Sequence, residues 1–276
     1  MITSSGIFSI ITFIYGLAVV FYVISWVFKK DNLPVKLASA ASIAAISGNF
    51  AGIILRWVES YQMGHGHAPL SNLYESLVFF SLCTASLYLY LQFRYKLRIV
   101  GLVASPIAFL SMAYASLVNS SIEPLIPALQ SNWLIAHVIT CFIGYAGFAV
   151  AFGISILYFI KAGSKKPGRE MTDKIPHIDM LDELTHQMVM FGFLFLSAGI
   201  ITGAVWANQA WGRYWGWDPK ETWSLITWFI YASLLHARLM RGWTGRRIAV
   251  LSCAGFIAVI FTYFGVNLLP GLHSYQ

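Results

Sequence analysis

Eight apolar runs alternate along this chain with polar loops, each run roughly the 20 residues a helix needs to cross about 30 Å of hydrocarbon. Inside hydrocarbon a backbone must satisfy its own hydrogen bonds, which leaves helices as the economical way to cross. The runs predict helices over about residues 6–28, 37–58, 73–93, 99–118, 133–160, 184–206, 222–240 and 248–266. The expected fold class is all-α, a polytopic membrane protein with about eight transmembrane helices. Composition agrees: the 276 residues are 58% hydrophobic and 11% charged, whereas soluble domains carry about 25% charged residues. The first run has no basic region before it and no small-residue cleavage site after it, and reads as a retained helix. The chain reads as one integral membrane domain over 1–276. Within it lie a two-helix part with its following loop, 1–70, and a core, 71–276, that includes a tryptophan-rich segment at 206–228.

Charge orients the predicted helices. Loops 29–36, 94–98, 161–183 and 238–247 hold 15 of the 18 basic residues, leaving only Arg56, Arg213 and Lys220 for the opposite side. By the positive-inside rule both termini and the segment between helices 6 and 7 face outward. The net charge of +7 is then a topology signal, and no nucleic-acid partner is expected. Cys83, Cys141 and Cys253 lie singly in apolar runs with no CxxC, so they read as small buried apolar residues and not as a redox pair. Phosphate-loop, dinucleotide and HExxH motifs are absent, and no catalytic acid, base or nucleophile is nominated.

The segment WANQAWGRYWGWDPKETWSLITW holds six of the 10 tryptophans, Trp206, Trp211, Trp215, Trp217, Trp223 and Trp228. An aromatic girdle needs only one or two rings per crossing. Large rings beside donors and a carboxylate suit a planar, mostly apolar ligand with polar edges, which points to haem. The spacing of Trp206, Trp211 and Trp215 predicts one side of a short interfacial helix, with Gly212 and Gly216 leaving room for close approach. Asp218 before Pro219 reads as a helix start with Glu221 near its positive end, a capping role compatible with ligand contact.

Imidazole is a good axial ligand for haem iron. His236 falls inside helix 7, about 14 residues or roughly 20 Å from its outer end, where an ionisable group is costly and is either functional or hydrogen-bonded between helices. Arg238 and Arg241 follow; propionate neutralisation and snorkelling to lipid phosphates are equally physical uses for them. His137 lies one turn after Trp133 at the outer mouth of helix 5, and His273 lies in the outer tail. Convergence on one iron and separate capping or surface roles both stand for this pair. His65 and His67 form a weak HxH metal motif. Ser71 or Asn72 is expected to cap helix 3, placing Glu75 near the outer surface of the membrane, and His177 and His186 read as solvated.

WGRYWGWDPKETW resembles the tryptophan-rich signature of haem-handling cytochrome c assembly proteins. With PLSNLYESLVFF, WLIAHVITCFIGYAGF, HARLMRGWTGRR and FGVNLLPGLHSY, the chain resembles the CcsA-type subunit of the System II cytochrome c synthase over about residues 49–276. The resemblance implies that haem, as haem b, is carried across the membrane and coupled to the CxxCH thiols of apocytochrome c, as part of a haem–apocytochrome c ligase. It implies axial ligation by His137 and His273, with Trp206, Trp211, Trp215, Trp217, Asp218 and Trp223 around the macrocycle. His236, beside Arg238 and Arg241, would form an inner site with a histidine of a CcsB-type membrane subunit. An outer-side thiol-reducing protein is a further implied partner. The host would be a bacterial plasma membrane, with the chloroplast thylakoid as alternative. A CcmC-type deliverer of haem to a chaperone and a HemX-like regulatory membrane protein are the rival readings. About six crossings are expected of the first, and a missing tryptophan signature of the second.

Overall fold

A computed structural model describes residues 3–28, 32–164 and 174–268. Among these residues the secondary structure is entirely helical, as expected. Eight α-helices follow the predicted runs: α1 Ser4–Val27, α2 Leu33–Gln62, α3 Leu73–Tyr95, α4 Ile99–Ala115, α5 Asn132–Gly163, α6 Ile178–Trp211, α7 Pro219–Arg241 and α8 Arg246–Tyr263. Six are long and apolar enough to cross a membrane; α4 is apolar but shorter, and α7 falls outside the six. The described residues fall into two compact units, one within 1–126 and 166–175 and one within 127–165 and 176–276.

In the first unit α2 turns a seam of small and polar residues inward: Ala38, Ser42, Ala45, Asn49, Gly52, Arg56 and Ser60. Without side chains at Gly48 and Gly52, Ile11 and Phe8 of α1 sit where a Cβ would be, 2.2 and 2.6 Å from that position. Polar side chains then tie the helices. Asn49 donates to Ser81 Oγ at 2.9 Å, Tyr88 to Ser42 Oγ at 2.8 Å, Tyr22 to Gln92 Oε1 at 2.6 Å and Gln92 to Ser39 Oγ at 2.7 Å. In an apolar surrounding, polar groups that find each other between helices help hold the packing.

One end of this unit is organised by a charge pair. Arg56 Nε donates to Glu75 Oε1 at 2.8 Å, and its other nitrogens donate to the carbonyls of Ser120 and Ser121 at 2.9 and 3.1 Å. Glu75 Oε2 accepts from Ser71 N and Oγ. Glu75, in the first turn of α3, is buried against Arg56, which neutralises it there. Asn72 is the residue that caps α3, accepting from Glu75 N at 2.9 Å. The His67 ring nitrogens lie 3.1 and 3.0 Å from the carbonyls of Ala68 and Glu123, and no cluster of three metal-type ligands occurs among the described residues.

In the second unit α5 and α6 pack closely through glycine. A Cβ on Gly144 would lie 3.0 Å from Gly192 O and 3.0 Å from Leu196 N, so the two backbones touch. Small residues permit such an approach where no hydrophobic drive separates protein from lipid. Tyr231 of α7 stacks flat on Phe148 of α5, with ring centroids 3.6 Å apart, and Gly255 of α8 makes room for it. At 32 and 34 residues, α5 and α6 are each about 50 Å long, longer than the hydrocarbon thickness they need to cross.

Candidate functional site at the tryptophan-rich end

The excess length of α6 carries Trp206 and Trp211, so these residues end a long helix and do not form a separate interfacial one. Gly212, at φ +72°, closes α6 in the left-handed conformation. Residues 213–218 form a loop, and α7 starts at Pro219. The loop is fastened from α7 by a capping box: Asp218 accepts from Lys220 N at 2.9 Å, while Glu221 Oε2 accepts from Asp218 N at 3.2 Å and Gly216 N at 2.7 Å. The DPKE sequence carries that signature, since a carboxylate three residues after the N-cap can reach back to it. Asp218 is accordingly a buried cap.

Between these fixed ends Trp217 is held at φ +56° with its side chain 69% exposed. A bulky residue in that region is strained, and the strain presents its ring outward. Trp215 meets Trp217 edge to face at 5.8 Å, and its Nε1 is buried with no hydrogen-bond partner among the described residues. Arg213 covers Gly216 closely enough that a Cβ there would lie 2.7 Å from Nε. Trp223 packs on Phe261 of α8 at 4.2 Å, and Trp228 donates to Ser197 Oγ of α6 at 2.9 Å.

His137 projects from α5 against α6. Its Nδ1 lies 2.7 Å from Gly199 O, and its ring stacks on Trp206 with centroids 5.9 Å apart and planes 23° apart. Trp206 is 3% exposed, donates to Ala128 O at 2.8 Å and leans on Trp211 at 5.0 Å. A carbonyl only accepts, so Nδ1 is the donor in this contact. Metal-ligating histidines commonly donate one ring N–H to a carbonyl in this way.

His236 lies on the exposed face of α7 with Ile226, Phe229 and Met240. Two residues on, Arg238 donates to Asp182 Oδ2 at 2.6 Å and to Glu183 Oε2 at 3.0 Å. Arg241 is exposed. His186, expected to be solvated, is buried in α6 with Nδ1 unpartnered among the described residues, whereas His177 is exposed and pairs with Asp179. His273 lies outside the described residues. Haem suits the residues that are present: an imidazole, stacked aromatic rings and a buried indole donor at Trp215.

A family profile described as cytochrome C assembly protein matches residues 70–273. The chain belongs to the cytochrome c assembly family. Its relatives place it in the CcsA type. The CcsA cytochrome c biogenesis protein of Chlamydomonas reinhardtii is 44% identical over 231 residues, covering 81% of this chain but only 64% of that protein. That of Guillardia theta is 38% identical over 281 residues, covering 94% and 92%. That of Prochlorococcus marinus NATL2A is 40% identical over 272 residues, covering 86% and 85%. Among solved structures, the cytochrome c haem lyase CcmF superposes with a TM-score of 0.69 at 17% identity, over 97% of this chain and 51% of that one. This CcsA-type chain therefore shares the CcmF fold.

Gly199 and Gly203 carry no reactive side chain, yet Cys141 and His137, respectively, sit against them. The signal was present as GIITG, a GxxxG pattern in an apolar helix. Glu221 is a structural fastener of the loop, through Gly216 N and Asp218 N.

Proposed function

We propose that this integral membrane protein of cytochrome c biogenesis is the haem-handling subunit of a cytochrome c synthase. Haem b is its substrate, and His137 and His273 are the axial pair. Trp206, Trp211, Trp215, Trp217, Trp223 and Asp218 surround the macrocycle. The observation that carries the reading is the seat of His137, whose Nδ1 is taken by Gly199 O while its ring is braced by Trp206.

His236 faces away from its own unit and joins a histidine of a CcsB-type subunit to receive haem at the inner side. Arg238, already bound to two carboxylates, steadies α7 at that level, and exposed Arg241 meets a propionate. On the outer side, a thiol of reduced CxxCH in apocytochrome c adds across a haem vinyl group. The C–S bond forms at one vinyl carbon and the thiol hydrogen ends on the other, with no net oxidation. Such a step depends on proximity and orientation; an outer-side thiol-reducing protein keeps the cysteines available. The host is read as a bacterial plasma membrane, with the thylakoid as second reading.

The test is haem content and visible spectrum of the complex with its CcsB-type partner, for wild type and for His137→Ala, His273→Ala and His236→Ala. The proposal expects a changed axial-ligand spectrum or reduced occupancy in the first two and reduced loading in the third. Wild-type content and spectra in all three would overturn it.

A further inference from the structure

We propose that Arg213 and Lys220 hold the two propionates of haem, which fixes the macrocycle at the tryptophan-rich end with its vinyl edge turned away from the 213–218 loop. The proposal rests on haem being the ligand of that end. Three donors between Arg213 and Lys220 lack an acceptor. Among the described residues, the Arg213 guanidinium and the Lys220 ammonium have neither an ion pair nor a hydrogen-bond acceptor, and the buried Nε1 of Trp215 has no partner either. The two nearby carboxylates are engaged with backbone instead. Asp218 Oδ1 accepts from Lys220 N at 2.9 Å, and Glu221 Oε2 accepts from Gly216 N at 2.7 Å and Asp218 N at 3.2 Å.

Lys220 is half-buried in the first turn of α7, where the positive end of the helix dipole opposes a cation. Burial pushes its ammonium below the ordinary lysine range, and Asp218 offsets part of that. A cation kept in such a place calls for an anion beside it. Arg213 packs on the Gly216 backbone, where a Cβ would lie 2.7 Å from Nε and 2.9 Å from Nη2, and its planar fork matches a carboxylate through two parallel hydrogen bonds. Arg56, the other base that charge placement assigns to the outer side, is already bound to Glu75 and to the carbonyls of Ser120 and Ser121. Between the two cations in sequence, Trp215 and Trp217 meet edge to face, with Trp217 exposed. The matching ligand is therefore a flat apolar body carrying two carboxylates; a lipid phosphate offers the charge without the body. Haem carries its propionates on one pair of adjacent pyrroles and its vinyls on the other pair. Holding the propionates turns the vinyls toward the thiols of apocytochrome c.

The test uses the full chain with its CcsB-type partner in nanodiscs of zwitterionic lipid, titrated with haem and with haem dimethyl ester, whose propionates carry no charge. Binding is read from the visible absorption. Wild type is expected to bind haem about 10- to 100-fold more tightly than the ester, as charge-assisted hydrogen bonds are lost with the carboxylates. Arg213→Gln/Lys220→Met should lose most of that preference by weakening haem alone, with the ester affinity unchanged. Arg246→Gln, at an exposed cation that starts α8, should keep the preference. A double variant that retains the wild-type preference overturns the proposal and returns both cations to solvent or lipid phosphate. One that weakens haem and ester equally also overturns it, leaving the two residues as builders of the loop. Wild type that binds both forms equally overturns this proposal alone, whereas wild type that binds neither overturns the haem reading with it.

Discussion

At the scale of single residues, one side chain sits where its own preferences oppose it. Trp217 occupies the left-handed region at φ +56° and stays 69% exposed, a placement that costs about 1–3 kcal/mol and persists because the capping box fixes the next residue. Replacing it with glycine removes the strain and little packing. Trp217→Gly should therefore raise the thermal unfolding midpoint, or leave it unchanged, while lowering haem retention; a fall in both would show that the ring stabilises the loop. Arg56 and Glu75 form the opposite case, a charge pair with side chains only 2% and 0% exposed. Removing one partner strands a buried charge, so Arg56→Met should cost about 3–5 kcal/mol. The double variant Arg56→Met/Glu75→Leu should recover much of that loss in the same unfolding measurement.

At the scale of elements, the α5–α6 pair fixes the second unit. Gly144 meets backbone atoms at 3.0 Å, and backbone cannot rotate aside as a side chain can. Gly144→Ala should lower stability by about 1–3 kcal/mol, measured by thermal unfolding in detergent against Gly163→Ala as the open-space control. The α6–α7 junction depends on Glu221 reaching back to two backbone N–H groups. Glu221→Ala should cost about 0.5–2 kcal/mol as a lost cap and increase protease cleavage within residues 213–218; unchanged cleavage would mean the loop holds itself.

At the scale of the whole molecule, charge placement predicts that the loop after α6 and the loop after α7 open on opposite sides of the membrane. In intact cells a membrane-impermeant maleimide should label Tyr214→Cys directly and Arg241→Cys only after permeabilisation; the reverse pattern would invert the topology. The native cysteines leave that experiment readable, because Cys141 is buried and Cys83 and Cys253 are half-buried.

The helices were legible from the sequence because long apolar runs have one common solution in hydrocarbon, and all eight runs returned as helices. The tryptophan-rich segment and the DPKE cap were legible for a similar reason, since local composition and short spacing carry them. What only the tertiary structure decided were relations between distant residues: the burial of Glu75 by Arg56 and the burial of His186. The same holds for the seat of His137 on Gly199 and Gly203, 62 and 66 positions further on. A glycine carries no chemical signal of its own. Its meaning lies in which side chain from another helix occupies the space its missing Cβ leaves, and that is settled only when the two helices pack.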